Sequence, residues 1–127
     1  MPEPKKIRET LESYLQGWRS GNREEWLSLF TEDATLTDPV GTPANEGKAA
    51  ISEFWDRIHT LPMSFEPDAE RIVVCENESM MVFTMVSRAE SGVGMSINIV
   101  NTFVHSDDGR ITQLKAYWDN GCMGAAP

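Results

Sequence analysis

Apolar residues recur at helical spacing over residues 5 to 20. There Ile7, Leu11, Tyr14, Leu15 and Trp18 form one stripe, which predicts an amphipathic helix. SGN breaks it. Asn22 followed three residues later by Glu25 resembles a capping box and predicts a short second helix through Trp26, Leu29 and Phe30. TEDATLTD predicts a strand, and a Pro/Gly loop, PVGTP, follows it. GKAAISEFWDRIHTL predicts a third helix with Ile51, Phe54, Trp55 and Ile58 inward, ended by Pro62. The period then changes from helical to alternating. ERIVVCEN, SMMVFTMVSRAE, GMSINIVNTFVHS and RITQLKAYWDN are strand-like, and turn signals such as ENES, ESGVG and SDDGR separate them. Alternation places Ile97, Ile99 and Asn101 on one face and Asn98 and Val100 on the other. Helices first and a strand meander second predict an α+β fold with a curved antiparallel sheet around the helices. The closing GCMGAAP, residues 121–127, has no period and reads as mobile.

Length and charge narrow the possible partners. The 127 residues, 40% hydrophobic, suit one compact domain spanning 1–127. A net charge of −9 argues against a nucleic-acid partner bound through its phosphates. No apolar run reaches the length of a membrane span, and MPEPKKIRET has no apolar signal core. The expectation is a cytoplasmic protein with no membrane partner. Cys75 and Cys122 fit no metal or redox spacing and read as free thiols.

Four polar or amphipathic positions stand out. Tyr14 carries a hydroxyl on the apolar stripe, and Asp38 ends a strand at a rigid loop. Asn101 sits among Ile97, Ile99, Val100 and Phe103, and Trp118 ends the last strand. Each also has an ordinary reading. Asp before Pro initiates turns by accepting local N–H bonds. A buried Tyr is a core aromatic whose hydroxyl finds a partner. Asn101 faces solvent if the pleat runs the other way. Trp118 alone is a large apolar residue. His59 and His105 form no constellation and read as exposed. No HExxH, CxxC, GxGxxG or nucleophile-elbow motif occurs. The seven Met residues read as adaptable packing, with Met80, Met81 and Met85 as further candidates for a pocket wall.

Taken together, these positions resemble the ketosteroid isomerase family of the NTF2-like superfamily, from about Leu11 to Asn120. SYLQGWRSGN is similar to the family's helix with its catalytic tyrosine. LFTEDATLTDPVGTPANEGKAAISEFW is similar to its ATVEDPxG segment and the helix after it. INIVNTFVHSDDGRITQLKAYW is similar to its last two strands. The resemblance implies an NTF2-like cone, three N-terminal helices packed in a curved mixed or antiparallel sheet. It implies that Asp38 is the general base and Tyr14 the phenolic donor of an oxyanion hole. Asn101 falls where the family has the second donor of that hole, an aspartic acid held protonated, a known case of a raised carboxyl pKa, and is thereby implied as the third catalytic residue. Trp118 matches a tryptophan beside the base. Phe54, Phe83, Met85 and Leu114 fall on pocket-lining positions, while Trp55 and Phe30 replace tyrosines. The resemblance also implies a homodimer, through the outer face of the sheet.

These residue types suit one reaction. Moving a double bond into conjugation with a ketone requires a base for the proton α to the carbonyl and donors for the oxygen that gains charge. One carboxylate can return the proton two carbons along, and neither a metal nor an organic cofactor is needed. Asn at 101 donates a neutral hydrogen bond at any pH, as a weaker acid than a carboxylic acid. Trp18, Phe54, Trp55, Phe83 and Met85 would make a dry pocket for a fused-ring or terpenoid ligand. The leading expectation is a Δ5-3-ketosteroid isomerase. A polyketide cyclase-like enzyme and a non-catalytic binder of hydrophobic small molecules remain open.

Overall fold

The computed structural model describes all residues 1–127. Helix α1 (Pro4–Ser20) starts with Pro at its first position, where a missing N–H costs nothing. It ends at Gly21, whose φ of 71° lets its N–H reach back to the Gly17 carbonyl. Gly17 is required for a different reason: a Cβ there would stand 2.9 Å from the Trp26 ring. Helix α2 (Arg23–Leu27) is capped by the Asn22 side chain, which accepts from the Glu25 N–H.

Strand β1 (Phe30–Thr37) follows directly, so Leu29 and Phe30 leave the second helix earlier than their spacing predicts. A two-residue strand β2 (Asn45–Glu46) folds back from the Pro/Gly loop onto Thr35 and Leu36. Helix α3 (Lys48–Ile58) stops at His59, before Pro62. Strands β3 (Met63–Cys75), β4 (Glu78–Ala89), β5 (Gly94–His105) and β6 (Ile111–Tyr117) complete the sequence-legible set. The sheet order is β2-β1-β6-β5-β4-β3, mixed because β1 runs parallel to β6 while the other pairs are antiparallel. Register shifts in β1, β3 and late β5 mark bulges, which bend strands and sharpen twist.

Strand β3 begins seven residues before ERIVVCEN and passes through Pro67. That proline is tolerated because β3 is an edge strand, with only β4 beside it. The expectation of a mobile tail is corrected. After a single 3₁₀ turn (Asn120–Cys122) capped by Asp119, β7 (Met123–Ala125) pairs with Met95–Ile97 of β5. Strand β5 outruns β6 at that end and leaves an edge for the tail to fill.

Helix α1 packs on β3, and α3 packs on β1. Between helices and sheet lies one core of 20 residues, including Ile7, Leu11, Trp26, Phe30, Trp55, Phe103 and Ile111. The histidine expectation is also corrected. His105 is 3% exposed. Its Nδ1–H donates to the Gly109 carbonyl at 3.1 Å, and its Nε2 accepts from Ser79 Oγ at 2.8 Å. His59 is half-buried and stacks on Trp55 at 4.0 Å, with Nδ1–H donating to the Trp55 carbonyl. No helix is long and apolar enough to cross a membrane.

Candidate functional site

The parallel pairing of β1 and β6 brings two chain segments to the same end of the sheet. Thr37 lies opposite Lys115, so the residues leaving both strands emerge side by side. Asp38 leaves β1, and Trp118 leaves β6. The Val40 N–H donates to the Ala116 carbonyl at 2.9 Å, and the Thr42 hydroxyl donates to the Pro39 carbonyl at 2.7 Å. These bonds fix the loop that carries the carboxylate. The Trp118 Nε1–H then donates to Asp38 Oδ1 at 2.7 Å. No hydrogen bond to the other carboxylate oxygen is present. Burial pushes the Asp38 pKa above its ordinary value, and the Trp118 bond offsets part of that rise.

Asp38 opens into a cavity of about 200 Å³, nine of whose twelve lining residues are hydrophobic. Tyr14 and Trp18 reach it from α1 and Asn101 from β5. Phe83, Met85 and Ser87 contribute from alternating positions of β4. Alternation on β5 adds Ile97 and Ile99, on the same face as Asn101.

Tyr14 is 5% exposed and Asn101 is 1% exposed. The Asn101 Nδ2–H donates to Tyr14 Oη at 3.3 Å, and Phe103 meets the Tyr14 ring edge-on at 5.6 Å. With its oxygen accepting from Asn101, the Tyr14 hydroxyl keeps its own proton free to donate. Burial holds the Tyr14 pKa far above its ordinary value. The Trp18 indole lowers it, the Asp38 charge raises it, and the Asn101 amide lowers it. Asn101 Oδ1 and Trp18 Nε1 are buried without a hydrogen-bond partner.

The wall thus gathers Asp38, Tyr14, Asn101, Trp118, Trp18, Phe83 and Met85 from the sequence-derived candidates. The others lie elsewhere. Phe30, Trp55 and Leu114 are 0%, 2% and 1% exposed in the core and do not line the cavity. Trp55 is taken up by stacking against Trp26 at 4.7 Å and Trp18 at 4.9 Å. Phe54 lines an adjoining cavity of about 430 Å³, which shares Asp38 and Ile58 with the first and also includes Arg57 and Asn45. Met81 is fully buried in the core. Phe65 joins the wall unannounced, because Pro67 hid its strand. Ser87 was findable by extending the alternation of Phe83 and Met85. No group of three or more His, Cys, Asp or Glu side chains is placed to hold a metal.

Helices seated on a mixed sheet, with a carboxylate and a phenol sharing an apolar cavity, define an NTF2-like domain. The SnoaL-like domain model matches residues 11–114, and the chain belongs to that family. It is 31% identical to a steroid Delta-isomerase of Nocardioides simplex over 121 residues, 95% of this chain and 96% of that protein. Among solved structures it resembles SalBIII, an epoxide hydrolase/cyclase-like enzyme of pyran ring formation in the polyether salinomycin. The TM-score is 0.86 and the identity 23%, over 99% of this chain and 100% of that one. It also resembles a Δ5-3-ketosteroid isomerase from Mycobacterium sp., with a TM-score of 0.83 at 24% identity over 95% and 98% of the two chains. Both structural likenesses establish the fold.

Proposed function

We propose that the chain is a cofactor-independent isomerase of Δ5-3-ketosteroids or closely related β,γ-unsaturated ketones. One observation carries this reading. Asp38 has one oxygen held by Trp118 and no hydrogen bond to the other, in the same apolar cavity as the Tyr14 hydroxyl. The free oxygen takes the proton α to the ketone. Charge moves to the ketone oxygen, which Tyr14 stabilises by donating its proton as a hydrogen bond. Asp38 then returns its proton two carbons along, and the enone is conjugated. A positioned base contributes roughly 10²–10⁴ in rate, and an oxyanion donor about 10²–10³. The apolar wall strengthens both effects by lowering the local dielectric. In this reading Asn101 acts chiefly by holding the Tyr14 oxygen.

A second reading has an observation of its own. The adjoining cavity is lined by Arg57, Asn45 and Thr42, beside Asp38. That polar annex favours a ligand richer in oxygen than a steroid ketone, as a polyketide cyclase-like enzyme would take, with the same carboxylate as base. The test is the ultraviolet absorbance of a conjugated enone formed from a Δ5-3-ketosteroid. The isomerase reading expects turnover well above buffer. A rate equal to buffer, with the steroid bound, contradicts it in favour of the second reading.

A further inference from the structure

Two indole nitrogens in this chain are buried without a partner, those of Trp18 and Trp26. Their settings differ. Trp26 is fully buried among aromatic rings and does not line this cavity. Trp18 is 6% exposed and lines the cavity. It sits one helical turn after Tyr14, so the two side chains leave the same face of α1. The Trp18 ring cannot turn its N–H away to find a partner elsewhere. It is held against Trp55 at 4.9 Å, stacked under His59 at 5.7 Å with 15° between planes, and met edge-on by Phe65 at 5.4 Å. A buried donor without a partner, in a residue that lines a cavity, calls for an explanation, and a ligand oxygen supplies one.

We propose that the Trp18 indole N–H is a ligand donor, and that the ligand's oxygen sits between Tyr14 Oη and Trp18 Nε1. The inference rests on the cavity being the ligand site. One face of α1 then supplies both donors, while Asn101 holds the Tyr14 oxygen at 3.3 Å. The indole N–H approaches the phenol oxygen as a loose donor, close enough to lower the Tyr14 pKa against burial but outside strict hydrogen-bond geometry. A ring-borne oxygen able to accept twice satisfies both donors, as a ketone, an enolate or a phenol can. A ligand without that oxygen leaves two desolvated donors unpaired, and such sites discriminate strongly. Trp18 therefore sets specificity for oxygenated rings instead of only adding apolar wall.

Two fused-ring probes test this without any turnover: 2-naphthol and naphthalene. The indole N–H resonances of the four tryptophans are followed in ¹⁵N-labelled protein, with Trp18→Phe assigning one of them. The Trp18 proton is expected to move downfield with 2-naphthol and not with naphthalene. In Trp18→Phe the ratio of 2-naphthol to naphthalene affinity is expected to fall by about 2- to 13-fold, the range of one net hydrogen bond. Taking the ratio cancels the lost wall area, and if the variant fails to fold the wild-type spectra decide. Binding of both probes with identical Trp18 shifts overturns this inference alone. If neither probe moves the Trp18 or Trp118 resonance, the cavity is not the ligand site and the proposed function falls with it.

Discussion

Tyr14→Phe deletes one oxygen and leaves the ring packing, with Phe103 edge-on at 5.6 Å, in place. That oxygen accepts the Asn101 amide at 3.3 Å, and Asn101 is 1% exposed with Oδ1 already unpartnered. The variant therefore strands a whole buried amide, which costs about 1–3 kcal/mol. Asn101→Leu removes the amide at similar volume, unpartnered oxygen included. It should be close to neutral, because losing the buried, already unpartnered Oδ1 offsets leaving the Tyr14 oxygen without its donor. In the double variant no amide remains to strand, so its stability should match that of Asn101→Leu. The coupling energy is then about 1–3 kcal/mol, well outside the roughly 0.3–0.5 kcal/mol band of additive sites. Urea unfolding at neutral pH measures it, provided the slope with denaturant is unchanged across the cycle. Additive costs would show that the Asn101 amide does not serve Tyr14, and the account of the site's polar end would be wrong.

Three further outcomes follow from the same geometry. Because burial raises the Asp38 pKa, the acid limb of the kcat/KM profile should lie above the range of an ordinary aspartate. Trp118→Phe, by removing a bond to the charged form, should move that limb higher still, and a limb moving lower would refute the bond's role. His105 is held neutral by burial, with its pKa lowered. The native state then binds fewer protons than the unfolded chain, so stability is full above the unfolded value of about 6.5 and falls as pH drops below it. His105→Asn should flatten that slope in urea midpoints, and an unchanged slope would assign it to other groups. The family resemblance implies a homodimer through the outer face of the sheet, where Val82 and Val100 pair half-buried, so light scattering is expected to give about twice the 14.2 kDa chain mass; a monomer at micromolar concentration would count against the dimer.

What the sequence made legible follows from local chemistry. The stripe of Ile7, Leu11 and Trp18 located α1 because burial of one helix face leaves a 3.6-residue period. Alternation put Asn101 on the inner face of β5 for a similar reason. What stayed hidden was decided at long range. Pro67 disguised the first half of β3, because nothing local marks a strand as an edge. The tail read as mobile because the empty edge of β5 that captures it exists only in the assembled sheet. His105 read as exposed because its partners, Ser79 and Gly109, meet it only through strand pairing and a turn. Helical spacing showed Trp55 facing inward, yet Trp18 and Trp26 sit on the same side and claim it for the core. The Asp38–Trp118 bond spans 80 residues and depends on the one parallel pairing in the sheet, which helix and strand periods do not encode.

The most direct test of Asp38 as the base compares wild type with Asp38→Asn in the enone absorbance assay. Binding of 2-naphthol serves as the control for an intact cavity. The account predicts wild-type isomerisation of a Δ5-3-ketosteroid and a loss of roughly 10²–10⁴ in the variant while 2-naphthol still binds. Equal rates in the two proteins would contradict it.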